Sequence, residues 1–160
     1  MTRDEILSAI PHREPFLLVD EVLERTATRI LGAKTFRGDE WFFAGHYPGF
    51  PLVPGVLLCE AAMQCGAILL APLLAARQPA ANETSANPGP LDAKVPVATR
   101  MSDVRFKRMV RPGQRIVMEV ELKERLAEAF FLAAKVTVEG KVAVRFDFAC
   151  TAARPNQAAE

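Results

Sequence analysis

The stretch from Val53 to Ala76 constrains this chain more than any other, because it is apolar almost throughout, with Glu60, Gln64 and Pro72 as its interruptions. Its length invites a membrane-spanning reading, but a carboxyl, an amide and a proline inside it weigh against that. In a soluble protein, a helix that is apolar nearly all round must be wrapped on most sides by other elements. Pro54 and Gly55 open it. Proline is tolerated at a helix start because its missing N–H would have no partner there. The helix is expected from about Val56 to Ala71, with Pro72 ending or bending it.

The flanking sequence supplies the wrapping. Thr2 and Glu5 have the spacing of a capping box, and Ile6, Leu7 and Ile10 follow before Pro11, which predicts a short N-terminal helix. Phe16 to Leu23 and Arg29 to Phe36 read as two strands around a polar break, and Gly38 to Gly55 as irregular. Gln78 to Pro96 holds Pro79, Pro88, Pro90 and Pro96 among Ala, Asn, Ser and Gly, and reads as a long flexible loop. From Met101 the period becomes two: Ile116, Met118, Val120 and Leu122 share one face, and Val142, Val144, Phe146, Phe148 and Cys150 another. Pro112-Gly113 suits a type II turn, and Glu139-Gly140 a tight hairpin. Four antiparallel strands are expected from about Val104, Ile116, Phe131 and Val142. The fold class is therefore α+β, an antiparallel sheet curved around a central apolar helix. A single domain over residues 1 to 152 is expected, with residues 78 to 96 as an inserted loop and 153 to 160 as a disordered tail.

Twenty Lys and Arg against 19 Asp and Glu leave a formal charge of +1, which gives no general pull toward nucleic acid or membrane. Cys59, Cys65 and Cys150 are odd in number and set among apolar neighbours, with no secretory signal ahead of them, so reduced thiols in a cytoplasm are expected. His12 and His46 are the only histidines, and no Cys, His or carboxylate spacing matches a zinc site. Neither a metal nor a cofactor is expected.

The chemistry concentrates in Gly45-His46-Tyr47-Pro48-Gly49-Phe50-Pro51-Leu52-Val53-Pro54-Gly55-Val56-Leu57, followed by Leu58-Cys59-Glu60-Ala61-Ala62-Met63-Gln64. Three Pro and three Gly within eleven residues fix an extended path, and a histidine at its head is held in place, as a general base requires. Glu60 lies about one turn inside the apolar helix. Desolvation there favours a carboxylic acid able to donate a proton, whereas the helix N-terminus favours the anion. Together, a histidine, a poorly hydrated acid and free helix N–H groups suit proton transfer beside a polarised carbonyl. Read as structure alone, the same residues are a turn histidine and a dipole partner. Cys59 invites a thiol-nucleophile reading, but no neighbouring base pattern activates it. Gln64, one turn after Glu60, would orient that carboxyl or satisfy another buried polar group.

Three blocks resemble the FabZ-type 3-hydroxyacyl-[acyl-carrier-protein] dehydratases, which share the hotdog fold with the FabA type: Pro11 to Asp20 (PHREPFLLVD), Gly45 to Gln64, and Arg105-Phe106-Lys107-Arg108 continuing through Arg111-Pro112-Gly113. By this resemblance His46 is the catalytic histidine and Glu60, fourteen residues later, the catalytic acid; glutamate there is similar to the FabZ type, where the FabA type has aspartate. The implied reaction is loss of water from a (3R)-3-hydroxyacyl thioester to give the trans-2-enoyl product. His46 would take the C2 proton, Glu60 would protonate the departing hydroxyl, and the backbone N–H of Val56 with that of Gly55 would hold the thioester carbonyl. His12 falls in a structural motif. Arg105, Lys107, Arg108 and Arg111 are either a solvated strand face or a docking patch for an acidic acyl carrier protein.

The resemblance also implies a homodimer, with a trimer of dimers as its further assembly, in which His46 of one chain meets Glu60 of the other. An extended path from His46 to Gly55 would carry the histidine away from its own helix start. The sequence departs from the family in its long loop, in Ala98-Thr99-Arg100-Met101-Ser102-Asp103, and in Tyr47 where Phe is common. These bear on acyl-chain length and tunnel gating. Two rival readings are a hotdog thioesterase and a non-catalytic acyl-binding protein.

Overall fold

The computed structural model describes residues 1–75 and 94–153. Within them the chain forms α1 (Arg3–Ala9), β1 (Glu21–Arg25), β2 (Arg29–Thr35), a 3-10 helix (Trp41–Ala44), α2 (Gly55–Ala75), β3 (Val95–Phe106), β4 (Arg115–Leu126), β5 (Ala129–Val138) and β6 (Lys141–Ala153). The capping box is present: Glu5 N donates to Thr2 Oγ1 at 3.2 Å, and Thr2 N donates to the Glu5 carboxylate at 2.6 Å.

The strands form one sheet in the order β1-β2-β4-β5-β6-β3, with every neighbouring pair antiparallel. Helix α2 packs against β2, β3, β4, β5 and β6, and twelve of its 21 residues are buried. This is the hotdog arrangement. It explains how a helix long and apolar enough to cross a membrane is spent instead on a core: Leu58, Ile68, Leu69 and Leu70 meet Ile116, Met118, Phe130 and Leu132 of the sheet in one buried cluster. The approach to β2 is so close that a Cβ on Gly32 would run into Cys65 Sγ.

The turns follow their sequence. Gln114 N donates to Arg111 O at 3.2 Å across Pro112-Gly113, with Gly113 at φ +84. Glu139 and Gly140, at φ +51 and +73, connect the paired residues Val138 and Lys141 as a two-residue hairpin loop.

Four boundaries differ from the sequence reading. The strand expected over Phe16 to Leu23 is confined to Glu21–Arg25, because Leu18 N donates to the Gln64 side chain and the Phe16 carbonyl accepts from it, so this backbone is satisfied outside a ladder. Helix α2 runs through Pro72 to Ala75; a proline in the last turns costs one backbone bond there without halting the helix. Strand β3 begins at Val95, inside the segment read as loop, and includes Ala98 to Asp103. It lies at the sheet edge, where Pro96 is tolerated and where exposed residues carry no alternation to read. Strand β6 extends to Ala153, one residue into the expected tail. The rest of the expected loop and tail, residues 78–93 and 154–160, lies outside the described residues.

Candidate active site

His46 is set by the 3-10 helix before it, since its backbone N donates to Phe42 O at 2.9 Å. Its ring Nδ1 stands 3.0 Å from the Leu52 carbonyl. A carbonyl only accepts, so Nδ1 carries the hydrogen and Nε2 of the neutral ring is left bare as a base. Tyr47, at φ +52, sets its ring edge-on to that of His46 at 4.7 Å between centroids.

The segment after His46 is folded back, which corrects the extended path expected from its prolines. Phe50 N donates to Tyr47 O at 2.8 Å, closing a turn, and Leu52 returns to the His46 ring. His46 therefore stays beside the start of its own α2. An open cavity of about 790 Å³ is lined by His46, Tyr47, Leu52 and Pro54 together with Gly55 and Val56. The Gly55 and Val56 amides donate to no described residue and lie at the positive end of the helix dipole. A Cβ on Gly55 would stand 2.7 Å from the Phe106 ring, so any larger residue here would push that ring aside. The sequence reading thus places His46, Gly55 and Val56 in one site, and the structure brings all three together.

Glu60 does not line that cavity. Gln64, fully buried, donates through Nε2 to Glu60 Oε1 at 3.0 Å and to Phe16 O at 2.8 Å, while its Oε1 accepts from Leu18 N at 2.8 Å. Gln64 therefore both orients Glu60 and satisfies buried backbone, the two roles open to it from sequence. The histidine beside Glu60 in its own chain is His12, with Nε2 at 3.5 Å from Oε1. Burial lowers the His12 pKa, the Glu60 carboxylate opposes that, and Arg13 adds to it. The sequence reading missed this contact, which joins positions 48 residues apart.

The basic cluster divides. Lys107, Arg108 and Arg111 line the His46 cavity, joined by Lys141, which sequence reasoning had not singled out. The Arg111 guanidinium lies over the Phe50 ring at 4.7 Å. Arg105 is separated from them: it lines another groove with Asp103, Glu119, Lys135, Arg145 and Asp147. Successive strand residues face opposite ways, so Phe106 reaches the cavity and Arg105 does not. Cys59 is almost fully buried and its thiol is pushed up to about 11 by burial, which leaves no thiolate for a nucleophilic role. Among the described residues no group of three or more His, Cys, Asp or Glu could hold a metal ion.

The FabA-like domain family model matches residues 10–147. The 3-hydroxyacyl-[acyl-carrier-protein] dehydratase FabZ of Clostridium perfringens is 38% identical over 143 residues, covering 89% of this chain and 92% of that protein. The protein of the same name from Petrotoga mobilis is 36% identical over 142 residues, covering 89% and 91%. Among solved structures, the dehydratase heterocomplex ApeI:P from Xenorhabdus doucetiae superposes with a TM-score of 0.69 at 14% identity, over 92% of this chain and 90% of that one. A hypothetical thioesterase with coenzyme A from Streptococcus pneumoniae gives a TM-score of 0.60 at 10% identity, over 96% and 94%, a likeness of fold alone.

Proposed function

The chain belongs to the FabA-like family and is a dehydratase of 3-hydroxyacyl-[acyl-carrier-protein] thioesters in fatty acid synthesis; on that premise we propose how its residues divide the reaction. His46 Nε2 takes a proton from C2 of a (3R)-3-hydroxyacyl thioester. The C–H electron pair becomes the C2–C3 double bond, the C3–O bond breaks, and Glu60 of the partner subunit gives the departing oxygen its proton, so that water and the trans-2-enoyl thioester leave. Charge that develops on the thioester oxygen is met by the Val56 N–H, with Gly55 beside it. The observation that carries this division is the hydrogen bond from His46 to the Leu52 carbonyl, which frees Nε2 at the mouth of the helix.

A partner subunit enters because the cavity that holds His46 lacks Glu60. Strand β3 supports that reading: it is a sheet edge of twelve residues, and Val97, Met101 and Phe106 on it are exposed. A long unpaired sheet edge is a template for pairing with a second chain, and a two-fold pairing there builds a homodimer. Lys107, Arg108 and Arg111, with Lys141, stand where an acidic acyl carrier protein would present its thioester. We also place the enzyme in the cytoplasm, a reading supported by three buried, unpaired thiols.

A crotonyl or 3-hydroxybutyryl thioester of pantetheine tests the activity when enoyl absorbance and free thiol are followed together. Interconversion without thiol release is expected. Thiol release would turn the assignment to a thioesterase, and inactivity across several chain lengths to an acyl-binding protein.

A further inference from the structure

Two side chains of its own protomer converge on a single oxygen of Glu60. Gln64 Nε2 donates to Oε1 at 3.0 Å, and His12 Nε2 stands 3.5 Å from that same atom. Among the described residues Oε2 has no such partner. Gln64 cannot turn its amide over, because its oxygen takes the Leu18 N–H and its nitrogen serves the Phe16 carbonyl.

His12 packs against Phe16 beside it. Its ring stacks on Phe16 with centroids 6.4 Å apart and planes 24° from parallel, and its Nδ1 is buried with no hydrogen-bond partner. Burial keeps the ring neutral at neutral pH, so it carries one hydrogen. On Nδ1 that hydrogen would be a buried donor left unsatisfied, whereas on Nε2 it lies on the side of the Glu60 carboxyl, 3.5 Å away. Nε2 is therefore the protonated nitrogen, the reverse of His46.

We propose that His12 is a positioning residue for the acid of the dehydration, its Nε2–H acting with Gln64 to occupy Glu60 Oε1, so that the proton Glu60 delivers is carried on Oε2 and faces the departing hydroxyl. This rests on the reading of Glu60 as that acid. An oxygen that accepts the Gln64 N–H and has the His12 Nε2 3.5 Å away is the poorer place for the carboxyl hydrogen, and the other oxygen takes it. His12 itself neither gains nor loses a proton in the reaction.

The test compares kcat and KM of His12→Phe, His12→Gln, Glu60→Gln and the double variant His12→Phe/Glu60→Gln on a 3-hydroxyacyl pantetheine thioester. His12→Phe keeps a ring against Phe16 and loses the donor, so kcat should fall about tenfold while KM stays within about twofold. His12→Gln restores an N–H donor of similar reach and should keep most of kcat. In the Glu60→Gln background the added His12→Phe should cost less than about twofold, because a residue that acts through another loses its effect when that other is gone. Equal kcat losses in the Phe and Gln variants, or the full loss repeated in the Glu60→Gln background, would overturn the proposal. Imidazole 15N NMR of the unmodified protein decides it without any variant or turnover: the Nε2-protonated neutral ring at His12 supports it, and the Nδ1-protonated ring refutes it. No dehydration by the unmodified protein, or undiminished turnover by Glu60→Gln, would instead remove the reading of Glu60 on which the proposal rests.

Discussion

The two histidines of this chain carry opposite ring arrangements. His46 gives its Nδ1 hydrogen to the Leu52 carbonyl and faces the cavity with a bare nitrogen, while His12 has no partner for Nδ1 and turns Nε2 to Glu60. One ring leaves a nitrogen free toward the cavity, and the other places a nitrogen beside a carboxyl oxygen. Burial also gives His12 a stability signature. Its pKa in the folded chain lies below the ordinary 6.5, so under mild acid the unfolded chain binds a proton that the folded chain refuses. The stability that His12 contributes is complete above its unfolded pKa and is lost as the pH falls through the window below it. Urea midpoints taken from about pH 7 down to about pH 5 should decline less steeply in His12→Gln than in the unmodified protein, and parallel declines would show that His12 is not buried as described. His46, Glu60 and Gln64 were legible in the sequence because they stand in one dense block. The Leu52 carbonyl and the His12 contact were not, since a backbone acceptor has no residue signature and a contact across 48 positions has no spacing rule.

Among the elements, helix α2 and the β4 to β6 succession were readable from apolar period and turn chemistry, because each is half or wholly buried and its pattern records that burial. Strand β3 was largely hidden: over Val97 to Met101 every residue is exposed, so alternation is absent, and Pro96 argued against a strand that only an edge can accommodate. The folded-back Tyr47 to Phe50 turn was hidden as well, because three prolines read as extension and the closing bond runs between backbone groups. The contact of α2 with β2 turns on Gly32, which has room for no Cβ beside Cys65. Gly32→Ala should cost roughly 1 to 3 kcal/mol in chemical denaturation, and adding Cys65→Ala should recover part of it by removing the obstructing sulfur. Strictly additive losses would mean that the two positions do not press on each other.

At the scale of the whole molecule, the sheet separates two sets of charge. Lys107, Arg108 and Arg111 share the cavity with His46, and Arg105 lies in a groove with Glu119 and Asp147. Reversing Lys107 and Arg108 to Glu should weaken turnover of carrier-bound substrate more than that of a pantetheine thioester, with the gap narrowing at high salt, while Arg105→Glu should leave the two substrates equally served. Equal effects of the double reversal on both substrates would assign those residues to the cavity rather than to docking. The central claim, that the base and the acid of one site come from two chains, has a more direct test. His46→Ala and Glu60→Ala chains are each expected to lose all but about 1% of turnover, since each removes one proton-transfer group. Unfolded together and refolded, they pair at random, so about half of the dimers are mixed and each of those regains one of its two sites. The mixture should therefore recover about a quarter of the unmodified activity. A mixture no more active than the separate variants, with mixed dimers demonstrated to be present, would contradict the claim and return both groups to a single chain.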